Sequence, residues 1–267
     1  MVIDGPASFG SGSRYADWTG VAFGVVDPAT GQPASPPELR FSLVELDRAG
    51  VRIERTWDGA ALRASSTDHI LYEHVRLPGD RWAPWWGADR AVQLRDPAEP
   101  VISARYREDW VGLSDLWLAA MAVGIVGAAL EETVEEVGGR RAIMGRSMRD
   151  LPGVHFNLGR AALAVTSARA ACLAGCAEVD ARIDAGVIPT EDDYLRQMAL
   201  AADALARADT ADAHLRKLLG GNGLREGHRF ERRHRDLGAM SIHINAHEDR
   251  ISERVGRHLL GLEPELF

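Results

Sequence analysis

The sequence predicts an α+β chain, with an antiparallel β domain over residues 1–105 and a C-terminal four-helix bundle over residues 106–267. All seven tryptophans lie at or before position 117, and most prolines precede position 100. The first part is made of short β-type runs punctuated by Gly and Pro at intervals of about eight to twelve residues, the pattern of antiparallel strands. From about Trp110 onward the chain changes to long Ala/Leu/Val-rich segments with charged ends, the pattern of helices that pack on one another.

Taken in order, Trp18 to Val26 alternates loosely and ends in Asp27-Pro28, a turn signal. Pro33 to Pro37 reads as a loop, and Leu39 to Leu46 as a clean strand. Further strands are expected at Val51–Arg55, Ala61–Ala64 and His69–Leu77. Residues 111–137 form a long helix stopped by Gly138-Gly139 and buried around much of its circumference. A second helix runs from Val154 to Ala185, and a third from Thr190 as cap to Leu219, ended by Gly220, Gly221 and Gly223. The fourth covers Arg235 to Leu260.

Composition narrows the function classes. A net charge of −8 and a pI near 5.6 argue against a nucleic-acid partner, because a phosphate backbone repels such a chain at long range. The longest uninterrupted apolar run, Leu116–Leu130, falls short of the ~20 residues of a membrane helix, so no membrane partner is expected. Cys172 and Cys176 are the only cysteines, spaced along one predicted helix where a disulfide between them is awkward. That usage fits a reducing, cytoplasmic compartment. Lys217 is the only lysine among 31 basic residues.

Several residues carry chemistry on their own account. Gly220, Gly221 and Gly223 form a GGNG loop whose backbone N–H groups are open to a phosphate, although a helix C-cap would look the same. His243 titrates near neutrality and suits acid/base work. His247, four residues on, would share a helical face with it, but no third ligand at metal spacing accompanies the pair, and no metal is expected. The run Arg229–Asp236 mixes both charge signs and reads as an ion-paired connection.

Three landmarks occur in a familiar order. IDGPASFGSGSRYADWTGVAFGV resembles a middle-domain strand of acyl-CoA dehydrogenase-fold flavoenzymes, where a Gly–x–x–x–Phe–x–Ser–Gly element precedes Ala-Asp-Trp. WDGAALRASSTDHILYEHVRLPGDR resembles their next landmark, a Trp, then Leu-Arg-Ala-Ser, then a strand ending in Val-x-x-Pro. LLGGNGLREGHRFERRHRDLGAM resembles their C-terminal Gly-Gly-x-Gly loop followed by Glu-Arg and Arg-Asp. Where dehydrogenases of this family carry a Tyr-Glu-Gly-Thr element, this chain has Ser241-Ile242-His243-Ile244-Asn245-Ala246-His247. The glutamate is absent and a histidine stands almost in its place, which is similar to the flavin-dependent monooxygenase branch.

The resemblance implies middle and C-terminal domains of that fold, with FMN or FAD as cofactor and reduced flavin drawn from a separate reductase. It implies oxygenation of a small apolar or aromatic metabolite. It places the Ser11 hydroxyl near flavin N5, and Trp57 and Arg63 beside the ring and its phosphate or substrate charge, with Ser65, Ser66 and Thr67 as a hydroxyl cluster beyond. Read without it, Ser11 sits in an ordinary Ser-Gly turn and Trp57 and Arg63 are strand residues. Lys217, Gly220 and Gly221 fall where the family contacts the flavin pyrophosphate, and Arg146 and Arg149 near a junction that contacts a neighbouring subunit's flavin. His243 takes the acid/base role.

Family members carry an N-terminal helical domain and initial strands ahead of the point where this sequence starts. A partner chain supplies them, or the sequence is a fragment, or flavin chemistry has been lost. Homo- or hetero-oligomers are implied. Two alternatives stand beside the monooxygenase reading: a flavin-free, non-catalytic subunit of a heteromeric flavoenzyme, and an acyl-CoA dehydrogenase with a displaced base.

Overall fold

The computed structural model describes residues 1–35, 38–85 and 95–262. The chain divides into two compact units, Met1–Leu94 and Arg95–Phe267.

The first unit holds two three-stranded antiparallel sheets. One has the order β1-β5-β4, with β1 Val2–Gly10, β4 Val51–Glu54 and β5 Asp68–Arg76. The other has the order β2-β3-β6, with β2 Trp18–Gly24, β3 Leu39–Glu45 and β6 Trp82–Pro84. Asp68, Ile70 and Tyr72 are buried on one face of β5 with period two, and Val75 is buried beyond the left-handed His74. Ile70 and Tyr72 join Ile3, Val21, Val44, Val75 and Leu77 in a core drawn from both sheets. Full burial of each large side chain of this kind contributes about 1.5–3 kcal/mol.

β1 breaks register against β5 twice, between Ile3 and Gly5 and between Ala7 and Gly10. The second break puts Phe9 in the left-handed region, at φ 62°. Gly10 then lies so close to Ile70 that a Cβ would stand 2.7 Å from its Cδ1.

The second unit is helical. Three long helices dominate it: α1 Trp110–Gly139, α2 Pro152–Ala185 and α3 Glu191–Gly223. Two shorter ones follow, α4 Arg229–Met240 and α5 Glu248–Leu259. The buried stripe of α1 (Leu116, Ala119, Val123, Val126, Ala129, Thr133, Val137) keeps three- and four-residue spacing. Small residues at Ala161, Ala164 and Ala168 on α2, and at Ala201, Ala204, Ala208 and Ala211 on α3, are buried, and the two helices pack on each other. α2 opens on Pro152 and ends on Gly186, and α3 opens on a capping box between Thr190 and Asp193. Arg182 of α2 grips Glu108 through Nε and Nη2, at 3.1 and 3.0 Å, and also donates to Gln197 of α3.

The α+β class of the chain is as the sequence predicts, with two corrections to its elements. Ala61–Ala64 is not a strand: Arg63–Ser65 form a single 3-10 turn, because Leu62 and Ser66 on either side take left-handed backbone that a strand cannot hold. The last helix is two helices, separated by a 3-10 turn at Ile244–Ala246, so five helices occur among the described residues. α3 breaks at Gly220, as the glycines predict, with non-helical backbone there and one further turn reaching Gly223. Pro33 bridges to Val26, while Pro36 and Pro37 of the expected loop lie outside the described residues.

Two helical stretches, Gly112–Gly139 and Pro152–Ala185, are long and apolar enough to cross a membrane by length and composition. This exceeds what the Leu116–Leu130 run alone suggests; half of the first apolar window is buried inside the unit.

Candidate functional site

In the first unit a ring of hydroxyls forms where β1 ends. Ser11 Oγ lies 3.1 Å from Thr67 Oγ1, which lies 2.5 Å from Ser65 Oγ. The Gly12 amide donates to the Ser65 carbonyl at 2.7 Å, and Ser13 Oγ to the Ser66 carbonyl at 3.0 Å, so the turn after β1 is tied to the segment before β5. Ser66 Oγ is buried and has no hydrogen-bond partner.

The backbone around this ring is strained. Phe9, Leu62 and Ser66 all have positive φ, a conformation that costs a non-glycine residue about 1–3 kcal/mol. The Trp57 indole Nε1 donates to the Leu62 carbonyl at 3.0 Å, which fixes the ring beside the 3-10 turn. Arg63 sits exposed on that turn.

Beneath them lies an ion pair that sequence reasoning missed. Arg14 Nε and Nη2 reach the two carboxylate oxygens of Asp68 at 2.6 and 2.7 Å. Asp68 Oδ1 also accepts the backbone N–H groups of Thr56 and Trp57, each at 2.9 Å. The guanidinium and the two amides hold this fully buried carboxyl well below the usual carboxylate range. A signal existed: Asp68 shares strand parity with Ile70 and Tyr72, so its side chain had to be buried and had to find a partner.

The second unit carries the other predicted residues. His243 caps the 3-10 turn, its Nδ1 accepting from the Asn245 amide at 3.2 Å. The neutral ring therefore carries its proton on Nε2. The residue is exposed, and partial desolvation pushes its pKa below the ordinary histidine value. Asn245 Nδ2 donates to Ser114 Oγ of α1 at 2.8 Å, and Arg250 of α5 donates to the carbonyls of Ile244 and Asn245. His247 does not share a helical face with His243: it lies past the turn as the N-cap of α5, in extended backbone. No group of three metal-type side chains occurs among the described residues.

At the end of α3, Lys217, Gly220 and Gly221 are exposed, and Gly220 takes φ 57° and ψ −150°. The carbonyl of buried Leu219 accepts from Arg140 Nη1 at 3.2 Å. Gly223 belongs to packing, since a Cβ there would meet Leu219 Cβ at 2.5 Å. A cleft of about 450 Å³ opens nearby between Glu132, Glu136, Leu219, Gly227 and Phe230. Two of its carboxylates are engaged, Glu132 with Arg233 and Glu136 with His228.

Arg146 and Arg149 are exposed on the connection from α1 to α2. The run Arg229–Asp236 is ion-paired through Arg233–Glu132, His234–Asp212 and Arg235–Glu231. The structure thus joins Ser11 to Ser65 and Thr67, and Trp57 to the Asp68 network. His243, Lys217, Gly220 and Gly221 belong to the other unit, at separate places: His243 on the turn between α4 and α5, the other three at the end of α3.

Comparison with known proteins bears on this geometry. Residues 116–248 match the family described as acyl-CoA dehydrogenase, C-terminal domain. The short-chain specific acyl-CoA dehydrogenase of Sus scrofa mitochondria is 27% identical over 225 residues, which cover 84% of this chain and 49% of that protein. The pigment production hydroxylase of Rhodococcus erythropolis is 23% identical over 263 residues, covering 98% of this chain and 66% of that one. Among solved structures, XiaF from Streptomyces sp. in complex with FADH2 and glycerol superposes with a TM-score of 0.86 at 20% identity, over 98% of this chain and 65% of that one. The chain therefore spans between about half and two-thirds of these three proteins.

Proposed function

We propose, for a chain with the acyl-CoA dehydrogenase-like fold whose helical unit matches that family's C-terminal domain, a flavin-dependent monooxygenase activity on a small apolar or aromatic metabolite. The observation that carries this reading is the strained hydroxyl ring of Ser11, Ser65 and Thr67 beside Trp57. Backbone strain at three neighbouring residues is tolerated where function needs the geometry. The donor set fits a flavin. Hydroxyls that both donate and accept suit the hydrogen-bonding edge of the ring, and the indole suits its flat face.

When bound, FMN or FAD supplies the redox chemistry, with electrons from a separate reductase. Ser11 and Thr67 would hold the hydrogen-bonding edge of the cofactor, Trp57 would face its flat surface, and Arg63 would offset negative charge. Lys217 and the exposed amides of Gly220 and Gly221 suit a phosphate. His243 presents its Nε2–H as a donor, since Nδ1 is engaged by the Asn245 amide and the lowered pKa keeps the ring neutral near pH 7; taking up a proton requires Nδ1 to leave that amide. The turn it caps carries no carboxylate, which disfavours the dehydrogenase alternative. We place the protein in the cytoplasm as an oligomer, acting on a free small molecule with neither nucleic acid nor membrane as partner.

The test is a titration of the chain with FMN and with FAD, following absorbance and fluorescence, alone and with a chain carrying the N-terminal helical domain. Saturable binding with a perturbed spectrum, abolished in Ser11→Ala/Thr67→Ala, supports the reading. Absence of binding under both conditions overturns it in favour of a flavin-free subunit.

A further inference from the structure

Asp115 of α1 has a fully buried side chain, and neither carboxylate oxygen has a hydrogen-bond partner. A carboxylate left this way is a poor stabilising device, since an apolar residue of similar volume is generally as good or better. Its surroundings suggest another task. Arg250 of α5 approaches it to 3.7 Å, beyond hydrogen-bond reach, with only 12% of its side chain exposed.

The guanidinium donors of Arg250 point at the His243 turn, Nε to the Ile244 carbonyl at 2.8 Å and Nη2 to the Asn245 carbonyl at 3.1 Å. Asn245 also donates to Ser114, the residue before Asp115. The turn is thus held from α1 and from α5 at once, and its Asn245 amide is the group that fixes His243 Nδ1. Only arginine has a planar fork that can bond two carbonyls while leaving its charge beside a carboxylate; lysine offers a single point charge.

We propose that Asp115 and Arg250 form a positioning pair: the buried carboxylate draws the guanidinium inward, and the guanidinium locks the 3-10 turn that aims the His243 imidazole. The pair acts through the turn and touches no substrate. Its importance for turnover rests on the reading of His243 as the proton-handling group, whereas the positioning itself does not.

The experiment is NMR on the full 267-residue chain, reading the hydrogen exchange of the Asn245 amide and the titration midpoint of His243. In Arg250→Lys and in Asp115→Leu, Asn245 exchange accelerates by about tenfold or more, as expected for loss of a local restraint. The His243 midpoint rises toward the ordinary imidazole value, while amides of the Leu116–Ala129 stretch of α1 keep their protection. Asp115→Glu, which keeps the charge, restores part of both. Unchanged Asn245 exchange and an unchanged His243 midpoint in Arg250→Lys overturn the proposal, whatever the melting temperature does. If Asp115→Leu fails to fold, Arg250→Lys carries the same reading with the charge retained. Neither readout involves flavin or turnover, so failure of flavin binding would sink the proposed activity and leave this inference standing.

Discussion

Arg14 closes on Asp68 as a fork, one nitrogen to each carboxylate oxygen, and the same carboxylate takes the amides of Thr56 and Trp57. One buried acid therefore ties the turn after β1 to the segment that carries the indole. Arg14→Ala leaves that acid without its counter-ion, and the expected result is a lower melting temperature together with loss of flavin binding. Arg14→Lys recovers only part of either, because it keeps the charge and loses the fork. The pH dependence has a defined sign. Asp68 is held well below its unfolded value of ~3.9, so its contribution is complete above that pH and is lost as pH falls below it. The stability gap between wild type and Arg14→Ala should stay constant from neutrality to about pH 5 and shrink in stronger acid.

Arg182 and Glu108 form the corresponding pair in the helical unit, 10% and 3% exposed. Arg182→Met strands a buried carboxylate and should destabilise that unit by about 3–5 kcal/mol in urea unfolding. Adding Glu108→Leu should return much of the loss, because two apolar side chains replace two charges.

Gly221 and Gly223 lie two residues apart and answer differently to a methyl group. Gly223→Ala drives a Cβ into Leu219 and Phe230, and overpacking of this kind costs about 1–3 kcal/mol. At Gly221 a Cβ meets nothing within 4 Å, so Gly221→Ala should leave the melting curve in place. If Gly221 faces a phosphate, the same substitution weakens flavin binding at unchanged stability; equal binding removes Gly221 from the cofactor site.

Burial pushes the pKa of Asp115 up to about 7, with Arg250 and Arg254 opposing and Asp109 reinforcing the shift. Tyr194 of α3 faces the same cluster, and Glu191 neutralises Arg254. A raised carboxyl stabilises the fold least where the unfolded chain is ionised and the folded one resists. Destabilisation from Asp115 therefore grows as pH rises from ~4 and levels off above about 7. Asp115→Asn should flatten that window in stability measured from pH 4 to pH 8, and a slope identical to wild type would assign the titration elsewhere.

Much of the fold was legible in the sequence. The shift from Gly/Pro-punctuated runs to Ala-rich periodic segments marks the β and helical parts, and the Thr190 cap and the glycine after Ala185 bound their helices as chemistry requires. β1 was visible only through the family likeness, since Gly5, Pro6 and Gly10 spoil its alternation. The break between α4 and α5 was not legible at all. Residues 241–247 contain neither glycine nor proline, and the bonds that hold the turn come from Ser114, distant in sequence, and from Arg250 on the helix that follows. The site follows the same division. Ser11, Trp57 and Thr67 announce themselves by motif, whereas Arg14 has no local signal and is identified only by the acid it reaches.

The left-handed residues around the hydroxyl ring set the terms on which this protein can be improved. Leu62 and Ser66 hold conformations that glycine adopts freely, so a selection for heat resistance should find Leu62→Gly and Ser66→Gly early. The same exchanges slacken the loop that carries the Leu62 carbonyl under Trp57. Ruggedness and cofactor grip would then be traded against each other at two residues, and breeding for one erodes the other.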